Sequence, residues 1–164
     1  MQRTLDSQQV ESLGRAALIA QLVGDGLEVA QPDRDAGVDL LAFTFDPWHV
    51  VPIQLKAATA EAFSVDRKYE RLAAAPLLMV YVWNARSATD LQFYAMTWRE
   101  AEGIASSLGW TQTQSWLREP PLKGSYATSR PPRRLKEAIA PHLMGPGKWR
   151  ELISVLGPAD SRGG

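Results

Sequence analysis

Apolar residues recur at three- and four-residue intervals between Ser7 and Val23, marked by Val10, Leu13, Ala17, Leu18, Ile19, Ala20 and Leu22. That spacing predicts an amphipathic helix, and Gly24-Asp25-Gly26 ends it. Beyond it the period shortens. Leu27 to Ala30 predicts a short strand, Pro32-Asp33-Arg34-Asp35-Ala36-Gly37 is turn chemistry, and Val38–Phe45 is a strongly apolar strand. Asp46-Pro47-Trp48-His49 makes the next turn, and Val50–Ala57 predicts a third strand, with Pro52 pointing to an edge or a bulge near its start.

Val65 to Ala74 has helical composition, with Val65, Tyr69 and Leu72 or Ala73 sharing a face. Leu77-Leu78-Met79-Val80-Tyr81-Val82-Trp83 is apolar without alternation, which predicts a central strand buried on both faces. Leu91 to Met96 predicts a further strand, and Thr97 and Glu100 are spaced as a capping box at the start of a helix running to Leu108. From Gly109 to Pro132 the chain is polar and rich in Ser, Thr and Pro, as in an extended loop or a short hairpin. Arg133 to Met144 can form a helix up to Pro141, Gly145-Pro146-Gly147 separates it from a terminal turn around Lys148–Leu156, and residues 157–164 read as a flexible tail.

The order helix, three strands, helix, strand, strand, helix predicts an α/β or mixed α+β fold with a sheet of about five strands. The 164 residues suit a single domain over 1–156, with a core about 7–108 and a C-terminal extension over 109–156. No run approaches the roughly 20 apolar residues of a membrane span, and Met1 to Val10 has no signal-peptide core, so the expected address is cytoplasmic. Cysteine is absent and only His49 and His142 are present, which removes thiolate and multi-histidine metal sites and leaves oxygen-loving ions such as Mg2+ or Mn2+. The 18 basic and 18 acidic residues cancel, so nucleic-acid binding would need a local patch.

Candidate chemistry sits on the two strands around Asp46. Asp39 opens one apolar run, and Gln54 and Lys56 lie inside the next, the first of them fifteen residues on. A hairpin would bring all three together; Gln54 and Lys56 share a face because side chains alternate along a strand, while Leu55 points into the core. A lysine between Leu55 and Ala57 is costly to bury unpaired, so function or a salt bridge to Asp39 accounts for it. Taken singly, Asp39 reads as a strand-opening turn acid, Gln54 as an edge-strand polar residue, and Asp35 as a residue that structures its loop by bonding turn amides.

Together, Pro32-x-x-Asp35-x-Gly37-x-Asp39-Leu40 and Ile53-Gln54-Leu55-Lys56-Ala57, with the element order around them, resemble the PD-(D/E)XK nuclease superfamily, which includes restriction endonucleases and archaeal-type Holliday junction resolvases. The resemblance covers roughly residues 7–83. It implies a restriction-endonuclease-like core, a mixed sheet flanked by helices, and a metal-dependent phosphodiester hydrolase acting on DNA or another nucleic acid. Asp39 would be the principal ligand of Mg2+ or Mn2+, and Gln54, in the variant where glutamine replaces the acid, would offer its amide oxygen. Leu55 would offer its carbonyl, and Lys56 would orient the water or steady developing negative charge. The superfamily places a glutamate on the first helix; about one turn after Gly14, where resolvase-like relatives carry it, this chain reads Ala16, Ala17 and Leu18. Glu11, about two turns from Leu18 on a similar face, is the nearest acid to substitute as a metal ligand.

Lys68, Tyr69 and Arg71 could meet a phosphate backbone, as could Arg130, Arg133, Arg134 and Lys136, the strongest basic cluster, which opposes the dipole of the helix it opens. Trp83, Trp98, Trp110, Trp116 and Trp149 are expected to pack a core, and His49 and His142 to lie in a turn and on the surface. Two rival classes stand beside the hydrolase. One is a catalytically degenerate nuclease-like module that binds nucleic acid or a protein partner without cleavage. The other is an assembly subunit, for which zero net charge and abundant aromatics speak; a homodimer is compatible with either.

Overall fold

The helical repeat folds as α1 (Ser7–Gly24), opened by a capping box in which the Asp6 carboxylate accepts from the Gln9 amide and the Gln9 side chain accepts from the Asp6 amide. The computed structural model describes residues 4–34, 36–119 and 124–157, so Asp35 and nearly all of the expected flexible tail (158–164) lie outside the described residues. After α1 come β1 (Glu28–Ala30), β2 (Leu40–Phe45), β3 (Trp48–Ala57) and β4 (Phe63–Asp66), then a 3-10 turn over Arg67–Leu72. β5 (Leu78–Trp83), β6 (Gln92–Thr97), α2 (Trp98–Ser107), β7 (Ser125–Thr128), α3 (Arg133–Ile139), β8 (Leu143–Met144) and α4 (Trp149–Leu156) complete the order. The fold is mixed α+β: a six-stranded sheet in the order β1-β2-β3-β5-β6-β8, flanked by helices, and a two-stranded sheet of β4 and β7.

The sheet has six strands rather than about five because Leu143 and Met144 pair with Tyr94 and Phe93, and a two-residue strand carries no periodicity to read. β5 is buried along its whole length, as expected of a central strand. β3 and β5 run parallel, and the other neighbours in the sheet are antiparallel. Pro52 needs no bulge: it pairs with Leu41 on β2, while pairing with β5 starts only at Ile53, so its missing N–H falls where β3 has one neighbour.

A parallel pair demands a crossover. The sequence reads that crossover as a helix over Val65 to Ala74, but the chain instead forms β4 and the 3-10 turn. Phe63 and Val65 are buried while Ser64 and Asp66 are half-exposed, which is an alternation of two, and β4 pairs with β7 some sixty residues later. Asp66 then caps the 3-10 turn by accepting from the Lys68 amide at 2.9 Å. On the edge of the chain facing the sheet, the alternate carbonyls of Ala62, Ser64 and Asp66 accept from Trp83 Nε1 (2.6 Å), the Tyr81 hydroxyl (2.7 Å) and Trp98 Nε1 (3.0 Å). Burial pushes the Tyr81 hydroxyl well above the ordinary tyrosine range, with Tyr69 as a lesser cause, so it stays a donor.

One face of the sheet packs Leu40, Ala42, Val51, Ile53 and Leu55 against Leu18 and Leu22 of α1 and Trp149 and Ile153 of α4. The other face packs Met79, Tyr81 and Trp83 against Phe63, Val65 and Tyr69 of the crossover and Leu135 and Ile139 of α3. As expected, Trp83, Trp98, Trp116 and Trp149 are buried and Trp110 packs against the second cluster. The C-terminal segment is tied back to α1: the Asp25 carboxylate accepts from the amides of Gly147 and Trp149 at the start of α4. No helix among the described residues is long and apolar enough to cross a membrane.

α1 reaches β3 through Gly14, where an added Cβ would stand 2.5 Å from the Ala57 Cβ. Gly14→Ala is expected to lower unfolding stability in urea by about 1–3 kcal/mol through overpacking. Gly103→Ala on α2, where nothing lies within 4 Å, is expected to raise it by about 0.5–1 kcal/mol.

Candidate functional site

Asp39 lies one residue before β2 begins, opposite Gln54 in the hairpin register. Its amide donates to the Ile53 carbonyl at 2.8 Å, the last backbone bond of the β2–β3 ladder at this end. Past that point β2 offers no carbonyl to the next inward amide of β3, and the Asp39 side chain takes its place. Oδ2 accepts from the Leu55 amide at 2.6 Å and from Gln54 Nε2 at 2.6 Å. The strand-opening acid is therefore a fixed carboxylate, held by two short hydrogen bonds to the strand that carries the other candidates.

Gln54 is 6% exposed, and its amide nitrogen also donates to the Leu55 carbonyl at 3.1 Å. Its Oε1 is buried and has no hydrogen-bond partner among the described residues. An unsatisfied buried acceptor costs about 1–3 kcal/mol, so this oxygen is set for a donor or a cation that the chain itself does not supply.

Lys56, two residues on and on the same face, does not form the salt bridge to Asp39 that the sequence offered as a structural account. It is half-exposed rather than buried, and no ion pair among the described residues involves it. Its Nζ instead donates to the Tyr69 hydroxyl at 3.2 Å and sits 5.2 Å from the centre of the Tyr69 ring. Lys68 approaches the same ring at 4.9 Å and pairs with Asp66 at 3.7 Å.

These groups open on one cleft of about 650 Å3. β3 gives it Gln54 to Ala57 and α1 gives Ser7 and Glu11, while the crossover contributes Phe63, Ser64, Lys68 and Tyr69 and the end of β7 contributes Thr128 and Ser129. The cleft lies where the sheet face passes from covered to open. β4 and the 3-10 turn roof the β5 side, whereas Phe45 and Trp48 on the β2–β3 hairpin remain exposed.

α1 meets the cleft with its N-terminal end, so Ser7 and Glu11 line it, and Glu11 stands one turn before Gly14. The positions after Gly14 lead away: Ala16 is exposed and Leu18 is fully buried in the core. Glu11 forms an ion pair with Arg15 one turn along the helix.

The basic cluster does not line the cleft. Arg130 follows Ser129 at its rim, but Arg133 pairs with Glu137 at 2.7 Å, Lys136 pairs with Glu61, and Arg134 is exposed on α3. The hydroxyls of Ser7, Ser64, Thr128 and Ser129 and the phenol of Tyr69 are cleft groups that no motif singled out; Tyr69 had a signal only in its place beside Lys68. His49 lies half-buried in β3 beside Gly157, rather than in a turn, and His142 lies in the 3-10 turn after α3.

The described residues hold no group of three or more His, Cys, Asp or Glu able to bind a metal. The oxygen donors that line the cleft include the carboxylates of Asp39 and Glu11, the Gln54 amide oxygen and the Leu55 carbonyl. That donor set suits a hard divalent ion and is short of negative charge.

This architecture has a counterpart among solved structures. The fold is nuclease-like. It matches that of a bacterial homing endonuclease with a TM-score of 0.50 and 12% sequence identity, over 93% of this chain and 94% of that one. At that identity the likeness concerns the fold alone. The sequence matches no family model and no curated protein. In this nuclease-like fold the sheet carries Asp39, Gln54 and Lys56 on one face beside the crossover, which is where the cleft opens.

Because Asp39 substitutes for a missing ladder partner, its removal has a structural cost. Asp39→Ala is expected to lower stability by about 1–3 kcal/mol in urea denaturation, since the Leu55 amide and the Gln54 side chain lose their acceptor. Lys56→Ala is expected to change stability by less than about 1 kcal/mol. A gain in stability for Asp39→Ala would mean that charge repulsion outweighs the hydrogen bonds.

Proposed function

We propose that the chain is a metal-dependent phosphodiester hydrolase of the PD-(D/E)XK type, acting on DNA or another nucleic acid. The observation that carries the reading is the meeting of Asp39, Gln54, Lys56 and Glu11 in one cleft, with a buried Gln54 Oε1 that lacks a partner among the described residues. Mg2+ or Mn2+ would be held by Asp39, the Gln54 amide oxygen and the Leu55 carbonyl, with Glu11 recruited from Arg15. When bound, it supplies charge neutralisation at the phosphate and acidifies a water.

The chain's own residues do the rest. Asp39 is oriented before substrate arrives, because Oδ2 is already fixed by two donors from β3. Lys56 directs its ammonium into the cleft, where it donates to a non-bridging phosphate oxygen and steadies the charge that grows there as water attacks phosphorus and the bridging P–O bond breaks. Lys68 lines the same cleft and would meet a neighbouring phosphate, and Ser7, Ser64, Thr128 and Ser129 present hydroxyls for further phosphate contacts. Arg130, at the rim, extends this side of the cleft, while Arg133, Arg134 and Lys136 contribute only charge at longer range.

A second reading, a binding module without catalysis, is favoured by one observation: Glu11 is paired with Arg15 and Gln54 is neutral, so the donor set is poor in negative charge for holding a metal. Two measurements separate the readings. Calorimetric titration with Mn2+ is expected to show uptake that Glu11→Gln weakens on the order of tenfold and Asp39→Asn abolishes. Cleavage of single-stranded, duplex and branched DNA and of RNA in Mn2+ is expected to fall about 100-fold or more in Asp39→Asn and in Lys56→Ala. Activity retained by both variants would remove the assignment, and nucleic-acid binding without Mn2+ uptake would establish the binding module.

A further inference from the structure

Lys56 owes its place to a residue that lies outside the acid-and-lysine pattern. A lysine side chain is a flexible stem with a mobile point charge, so an ammonium that acts on one phosphate needs something to hold it. Tyr69 is 3% exposed and rigid, and its hydroxyl meets Lys56 Nζ at 3.2 Å while its ring lies beneath the same ammonium. The Tyr69 ring packs closely against Gly37. That glycine adopts φ +90°, and a Cβ there would stand 3.0 Å from the Tyr69 ring and 3.3 Å from Leu72. The same glycine lies two residues before Asp39, in the loop that delivers the carboxylate.

We infer that Tyr69 is the positioning residue of Lys56: its hydroxyl accepts one ammonium N–H and leaves the other two directed at the cleft. The inference rests on the hydrolase reading for its consequence, not for its geometry. Gly37 approaches the Tyr69 ring and the Tyr69 hydroxyl meets Lys56, so the loop that leads into Asp39 runs beside the residue that holds the lysine. Tyr69 acts through Lys56 and has no assigned contact with substrate.

Tyr69→Phe isolates the hydroxyl, since it keeps the ring, its packing and its contact with both ammonium groups. The first readout needs no activity: limiting acetic anhydride on the folded chain, with each lysine followed by mass spectrometry. Lys56 acetylation is expected to rise about three- to tenfold in Tyr69→Phe, with Lys136 and Lys148 unchanged. Unchanged Lys56 labelling overturns the inference. The second readout is cleavage in Mn2+, where Tyr69→Phe is expected to lower kcat about tenfold with KM within about twofold. Adding Tyr69→Phe to Lys56→Ala is expected to cost nothing more, whereas losses that multiply would overturn a role exerted through Lys56. A chain that cleaves nothing yet shows the labelling contrast would overturn the hydrolase reading and support the Tyr69–Lys56 coupling.

Discussion

One carboxylate oxygen joins the end of β2 to the strand beside it. Asp39 Oδ2 accepts the Leu55 amide and the Gln54 side chain after the backbone ladder has run out, so the hairpin stays closed one residue longer than its strands allow. The consequences spread from there. β3 is held straight into its parallel pairing with β5, Gln54 is locked by both of its amide protons, and the unpartnered oxygen of that amide is left buried at the head of the cleft. The same two bonds that stabilise the hairpin also fix the acid, so structure and proposed chemistry draw on one side chain.

The second constraint is the crossover. Between two parallel strands an α-helix is the usual bridge, yet here a strand lies across the sheet with its inner carbonyls taken by Trp83, Tyr81 and Trp98. Three side-chain donors replace the neighbouring strand that β4 lacks on that edge. This arrangement covers the β5 half of the face, leaves the β2–β3 half open, and hangs Lys68 and Tyr69 over the border between them. The cleft exists because the roof stops there.

Local signals carried α1, the apolar strands β2, β3 and β5, and the capping box at Thr97 and Glu100, whose reciprocal bonds are present. Each is decided within a few residues by periodicity or by a side chain that meets its own turn. The shared face of Gln54 and Lys56 follows from strand alternation, and so was legible too. What distant partners decide was not. β4 looked helical because Val65, Tyr69 and Leu72 have helical spacing, and only β7 makes it a strand. That Glu11 lines the cleft was not legible, because a helix does not announce which of its ends meets one. The basic residues looked like a patch, although Glu61 and Glu137 claim two of them. Gln54 alone read as an ordinary polar residue, since the orphaned oxygen is a property of its surroundings.

On the proposed reading, the oxygens around Gln54 form a cation site held ready by β3. The direct measurement is a crystal structure of the full chain soaked in Mn2+, with anomalous scattering used to place the ion. A peak is expected in contact with the Asp39 carboxylate and with Gln54 Oε1, with Glu11 drawn away from Arg15. A cleft without a peak at saturating Mn2+, with Gln54 still donating to Asp39, would contradict it.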